Sequence, residues 1–223
     1  MTTLFIDTAT ALCAVAVQVD GKVSVRILDD DRRHVEVLTP GVKELLAARG
    51  VAMSDVTRVV VDRGPGLYTG LRVGVATAVA LADAVGCELV GVTSLELFAH
   101  GAHLDGVRGN VLALVDGRRS ELFAQAFFLG DKDVRTLGEP SVRTPNDIVI
   151  EYGTSGAPTT FVGDGAVKYR ELFALMSWVH VAEPTKSWLK VGPQVGNSYA
   201  AGPVELLYLR EPDAVANFTT RGS

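Results

Sequence analysis

The chain predicts an α/β fold with mixed sheets flanked by helices, on three observations. β-rich runs and helical periodicity alternate in the order β-β-β-α-β-α-β as far as Val92, the signature of a mixed-sheet unit. A glycine-rich loop, Gly64-Pro65-Gly66, joins a strand to an almost wholly apolar helix. Past Gly106 the alternation begins again, which places a second unit after the first.

The elements follow from local patterns. Thr3 to Ile6 reads as a strand ending at Asp7-Thr8, and Cys13 to Val19 and Val23 to Leu28 as two more. Asp20-Gly21 between the latter two is a hairpin signal. His34 to Arg49 has helical spacing at Val35, Leu38, Val42, Leu45 and Leu46, and Gly50 supplies its stop. Pro40 inside it predicts a kink or a start near Thr39. Arg58 to Val61 is the fourth strand, Thr69 to Val85 a helix, Glu88 to Val92 the fifth strand, and a helix opens at Thr93. Val111 to Val115 and Leu122 to Phe128 are strands of the second unit. Pro145 opens a helix to Tyr152, Thr160 to Val162 is a strand, and Ala166 to Leu175 a helix. The tail reads as a helix around Val195 to Ala200 and a strand at Leu206 to Leu209. Glycine and histidine cluster at residues 100–108, so the units divide as 1–104 and 105–223.

Composition narrows the function. Net charge is −5, which argues against a protein that grips nucleic acid alone, because phosphate binding needs a concentrated basic surface. Arg32-Arg33 follows Asp29-Asp30-Asp31 and reads as a solvated loop. Cys13 and Cys87 have no motif spacing and read as small buried hydrophobes in a reducing compartment. The N-terminus has no basic stretch before an apolar run, so no signal peptide is expected. The apolar stretch from Val73 to Val85 carries Asp83 and is too short to span a bilayer. The expectation is a cytoplasmic protein with no membrane partner.

Two segments carry candidate phosphate chemistry. Asp7-Thr8-Ala9-Thr10 sets a carboxylate beside hydroxyls at a strand end. That arrangement either holds hydrated magnesium near phosphates or is a turn in which Asp7 accepts from its own backbone. Gly64, Pro65, Gly66, Thr69 and Gly70 form a strand-to-helix loop that either aims N–H groups at a phosphate or is a tight turn. It is neither a P-loop nor a dinucleotide fingerprint, and Pro65 removes a donor.

The helix behind this loop, with Leu71, Val73, Ala76, Thr77, Ala80 and Leu81, is apolar on nearly every face. Such a helix needs cover on both sides, from a second layer of this chain or from a partner. Burying about 300 Å² against a partner yields roughly 7 kcal/mol before association costs. The histidines announce no metal: Leu38 stands four residues after His34, so no His-x-x-x-His pair exists. No nucleophile motif occurs either.

Together these residues resemble a known family. Phe5-Ile6-Asp7-Thr8-Ala9-Thr10, His34 leading a helix, Val61 through Gly74 around Gly-Pro-Gly, and Gly91-Val92-Thr93-Ser94-Leu95-Glu96 are similar to the TsaB (YeaZ) family. Val115-Asp116-Gly117-Arg118-Arg119 and Val162-Gly163-Asp164-Gly165-Ala166 extend the likeness into the second half. Asp62 departs from it, since a small residue is usual there. The resemblance implies an actin/Hsp70-like (ASKHA, ribonuclease H-like) fold of two related lobes. It implies a non-catalytic subunit in the synthesis of N6-threonylcarbamoyladenosine at tRNA position 37. The implied partners are the metal-bearing transferase TsaD, the ATPase TsaE and, through the complex, tRNA. ATP and metal belong to that complex, and this chain alone binds no cofactor. The implied dimer surface is the first two helices, with Val35, Leu38, Val42 and Leu45 on the first, and the free chain is expected to self-associate. The rival reading is a metallopeptidase-like or ATP-hydrolysing enzyme of the same fold.

Overall fold

The computed structural model describes residues 1–28 and 34–210; the side chains of residues 34 and 35 lie outside that description. The first sheet holds β1 (Thr2–Asp7), β2 (Ala14–Val19), β3 (Lys22–Ile27), β4 (Arg58–Asp62) and β5 (Glu88–Val92) in the order β3-β2-β1-β4-β5. β1, β2 and β3 form an antiparallel meander, and β4 and β5 run parallel to β1. The first hairpin turns where Asp-Gly requires it, with Asp20 and Gly21 both at positive φ. β1 is buried on both faces: Leu4 and Ile6 join one core cluster and Phe5 another.

α1 (His34–Ala48) and α2 (Tyr68–Val85) cover one face of this sheet. α1 runs through Pro40 instead of starting late. Pro40 lies on the exposed side of the helix, away from the sheet, where its missing N–H does least harm. α2 ends at Gly86 in the left-handed conformation. Starting at Tyr68, it has 18 residues and is long and apolar enough, by length and composition, to cross a membrane. That corrects the shorter span read from sequence; here Gly70, Leu71, Gly74, Val75, Ala78 and Ala82 are buried in this chain's own fold.

The second sheet contains β6 (Gly109–Arg118), β7 (Glu121–Leu129), β8 (Val134–Thr136), β9 (Ser141–Arg143), β10 (Thr159–Val162) and β11 (Val179–Val181). Its order is β11-β10-β6-β7-β8, with β9 also on β7. α4 (Pro145–Gly153), α5 (Asp164–Lys168) and α6 (Arg170–Phe173) belong to this half. The single helix expected from Ala166 to Leu175 is split at Tyr169, whose φ of −110° and ψ of 25° leave the helical region.

Two helices join the halves. α3 (Ser94–Leu104) places Leu97 with the first sheet and Leu95, Phe98, Ala99 and Ala102 with the second. α7 (Ser187–Val195) returns from the second half to the first sheet, where Leu189, Val191 and Val195 pack with Phe5, Ala14 and Ala16. The strands of the first sheet all precede residue 93 and those of the second all follow residue 108, while α7, late in the chain, packs on the first sheet. The tail helix starts eight residues earlier than the sequence suggests, and a 3₁₀ turn at Gly196–Ser198 follows it. Leu206 to Leu209 forms no strand. It belongs to an extended arm tied to the first lobe by Gly202 N–H to Leu89 O and Leu207 N–H to Arg63 O.

Candidate functional site

The fold brings both candidate phosphate segments together. Asp7 ends β1 fully buried, and its carboxylate is divided between two donors. Oδ1 accepts the Ala9 N–H at 3.0 Å and Oδ2 accepts Trp188 Nε1–H at 2.8 Å. Burial pushes the Asp7 carboxyl up to about 6; the two hydrogen bonds oppose the rise and the charge of Asp164 adds to it. Thr8, also fully buried, donates to Gly70 O at 2.7 Å. Gly74 permits this approach, since a Cβ there would collide with Thr8 Oγ1.

The Gly64–Gly70 loop closes over that turn with two of its amides bonded to neighbouring turns. Gly64 N–H donates to Asp62 Oδ1 at 2.8 Å and Leu67 N–H to Ala9 O at 2.7 Å. Pro65, after a cis bond, has no N–H. Gly66 lies against the Ala9 carbonyl, and Leu207 O comes close to Gly64. Thr69 is exposed, apart from the buried pair Asp7 and Thr8. A phosphate cradle needs free amides pointing at an open space, and the Gly64 and Leu67 amides are instead spent on stitching two turns together.

Asp62 is the residue whose role the sequence reading missed. It is 1% exposed, and its Oδ1 accepts both Gly64 N–H and Ser94 Oγ–H, each at 2.8 Å. Burial and the neighbouring charge of Asp7 push its carboxyl well above the usual range. An aspartate two residues before a glycine at a strand end is the signal of such a turn.

The candidate docking residues divide by helix face. Leu38, Val42 and Leu45 are shut into the first core with Val15 and Val17, and Leu71 is fully buried. These four cannot form an exposed surface, because the apolar stripe of each helix is spent on its own sheet. Val35 lies outside the described side chains. On α2 the face turned away from the sheet keeps Ala76 and Ala80 exposed, with Val73, Thr77 and Leu81 half-buried. The N-terminal end of that helix is pinned by the arm. The Arg72 guanidinium sits 4.2 Å above the Tyr68 ring, and its Nε–H donates to Tyr208 Oη at 3.2 Å.

Between the lobes lies a cleft of about 490 Å³, reached from the Thr10–Leu12 turn and lined across by Val162, Asp164 and Val167, with Phe98 and Trp188 in its wall. Trp188 thus links the buried Asp7 to this space.

Comparison with known proteins places this geometry. The family model for TsaD, tRNA N6-adenosine threonylcarbamoyltransferase, matches residues 29–196. The tRNA threonylcarbamoyladenosine biosynthesis protein TsaB of Escherichia coli is 35% identical over 123 residues, covering 55% of this chain and 53% of that protein. A crystal structure from Pseudomonas aeruginosa, described as an uncharacterised protein with similarity to peptidase YeaZ, superimposes with a TM-score of 0.79. It is 25% identical and covers 94% of this chain and 99% of that one. The chain belongs to the TsaB (YeaZ) family. An uncharacterised Mycobacterium leprae protein is 38% identical over 218 residues, 95% of this chain and 55% of its own length. The E. coli alignment thus takes in about half of each chain, and this chain spans about half the length of the M. leprae protein. The TsaB-family likeness brings the actin/Hsp70-like fold with it, and the two mixed sheets flanked by helices match that expectation. Within this TsaB-family fold, position 38 of α1 is an apolar side chain closed into the core, out of reach of any ligand.

Proposed function

We propose that this chain is a non-catalytic subunit in the cytoplasmic synthesis of N6-threonylcarbamoyladenosine on tRNA. It docks a TsaD-type transferase, which carries the metal and the activated substrate. An ATPase of the TsaE kind joins the assembly, and tRNA is met through the complex. The observation that carries this reading is the outer face of α2. Ala76 and Ala80, with Val73 and Thr77 beside them, make a smooth surface on a helix held rigidly to its sheet. Small side chains let a partner helix approach closely, and the same face gives the free chain a means of self-pairing. The name of the E. coli relative supports the pathway.

The test is co-purification with the TsaD-type protein of the same organism. Ala80→Arg buries an unpaired cation if the face is covered, and weakens the complex at least about a hundredfold. Because Ala80 is exposed, the isolated variant keeps its far-UV spectrum and melting temperature. Co-elution of Ala80→Arg with the transferase at normal stoichiometry defeats the reading.

A further inference from the structure

The interlobe cleft has a chemistry of its own. At about 490 Å³ it is the size of a small-molecule site. Apolar wall comes from Ala102 and Val107 on one side and from Val162, Val167 and Ala182 on the other. Phe98 and Trp188 pack edge to face there, with ring centroids 5.2 Å apart. Among the described residues no lysine or arginine lines the space.

Its acidic groups come from separate elements and are held in place. Asp105 follows the end of α3, and both of its carboxylate oxygens are fixed. Oδ1 accepts from Ser187 Oγ–H and Oδ2 from Thr185 Oγ1–H, each at 2.6 Å. Asp164 opens α5, and its Oδ1 accepts the Asp116 N–H at 3.1 Å. Neither Asp105 nor Asp164 makes an ion pair among the described residues, whereas Glu183 already has Arg170 at 2.7 Å. The field of Asp164 reaches Asp7 beneath the wall. An anionic ligand entering here meets fixed carboxylates, with His180 the one titratable base in the lining and Arg118 acting on Asp164 from outside it. A cation meets two carboxylates and aromatic surface, both of which favour it.

We infer that this cleft binds a small organic cation, an ammonium group carried on an apolar body, in preference to nucleoside phosphates. The site is independent of the proposed docking face, since no residue of α2 lines it. The ammonium lies between Asp105 and Asp164, and the apolar body lies against Val107, Val162 and Ala182.

Titration calorimetry on the full chain at neutral pH and moderate salt tests this with three probes: phenethylammonium, the equally shaped neutral 2-phenylethanol, and magnesium ATP. Phenethylammonium is expected to bind saturably and at least about tenfold more tightly than the alcohol. Magnesium ATP is expected not to displace it. Asp164→Asn retains the oxygen that accepts from Asp116 and loses the charge. It should weaken the ammonium at least about fivefold and leave the alcohol unchanged. Asp105→Asn gives a second, independent reading of the same loss. Equal affinity for ammonium and alcohol overturns the inference, as do displacement by magnesium ATP and the absence of saturable ammonium binding.

Discussion

Replacing Trp188 by Phe separates the buried charge of Asp7 from the packing around it. In the native chain Asp7 is fully buried, and its carboxyl rises from the ordinary range to about 6, chiefly through burial. A raised carboxyl means the folded state holds the proton more tightly than the unfolded state. Stability from this group is therefore fully present below about pH 4 and lost as pH rises through about 6, by roughly 3 kcal/mol. The Trp188 hydrogen bond limits that loss, because it favours the charged form. Trp188→Phe keeps an aromatic ring against Phe98 and removes the donor. At pH 8 a charge-assisted bond to a buried carboxylate disappears, at a cost of about 1.5–3 kcal/mol. At about pH 4.5 the carboxyl is largely protonated, and the cost falls to about 1 kcal/mol. The Asp7 carboxyl then titrates above 6, and the decline of stability extends to higher pH. Urea unfolding at the two pH values, followed by far-UV circular dichroism, measures the difference. An equal destabilisation at both, or a greater one at pH 4.5, refutes the role given to this bond.

Asp62→Asn tests the second buried carboxylate. Oδ1 alone accepts from Gly64 and Ser94, so asparagine keeps both bonds and loses the charge that burial and Asp7 disfavour. The variant is expected to be more stable than the native chain at pH 8 and nearly equal to it at pH 4.5; a lower urea midpoint at pH 8 contradicts the assignment. Gly192→Ala places a Cβ 2.5–2.6 Å from the Phe5 ring and should cost about 1–3 kcal/mol by forcing α7 away from β1. That lowers the melting temperature by about 3–10 °C. Gly202→Ala, which has open space at its Cβ, is the control, and equal melting temperatures for the two variants dismiss the close approach.

The sequence speaks clearly where structure is local. The meander, the Gly-Pro-Gly loop and α2 are legible because period and punctuation lie within a few residues of each other. The three-residue strands β8, β9 and β11 are too short to show alternation. α7 carries Gly192 and Pro193, which read as breakers. Gly192 is useful because Phe5, far away in the chain, needs the space. The same limit explains the docking residues. Leu38, Val42, Leu45 and Leu71 stand out as strongly apolar, yet strong apolarity at helical spacing selects the side that a helix gives to its own core. The side left uncovered is the complementary register of Val73, Ala76, Thr77 and Ala80. That register becomes legible only once the stripe Leu71, Val75, Ala78 and Ala82 is assigned inward. The Asp7–Trp188 pair and the cleft beside it have no local signature, because each is made by segments that only the return of α7 brings together.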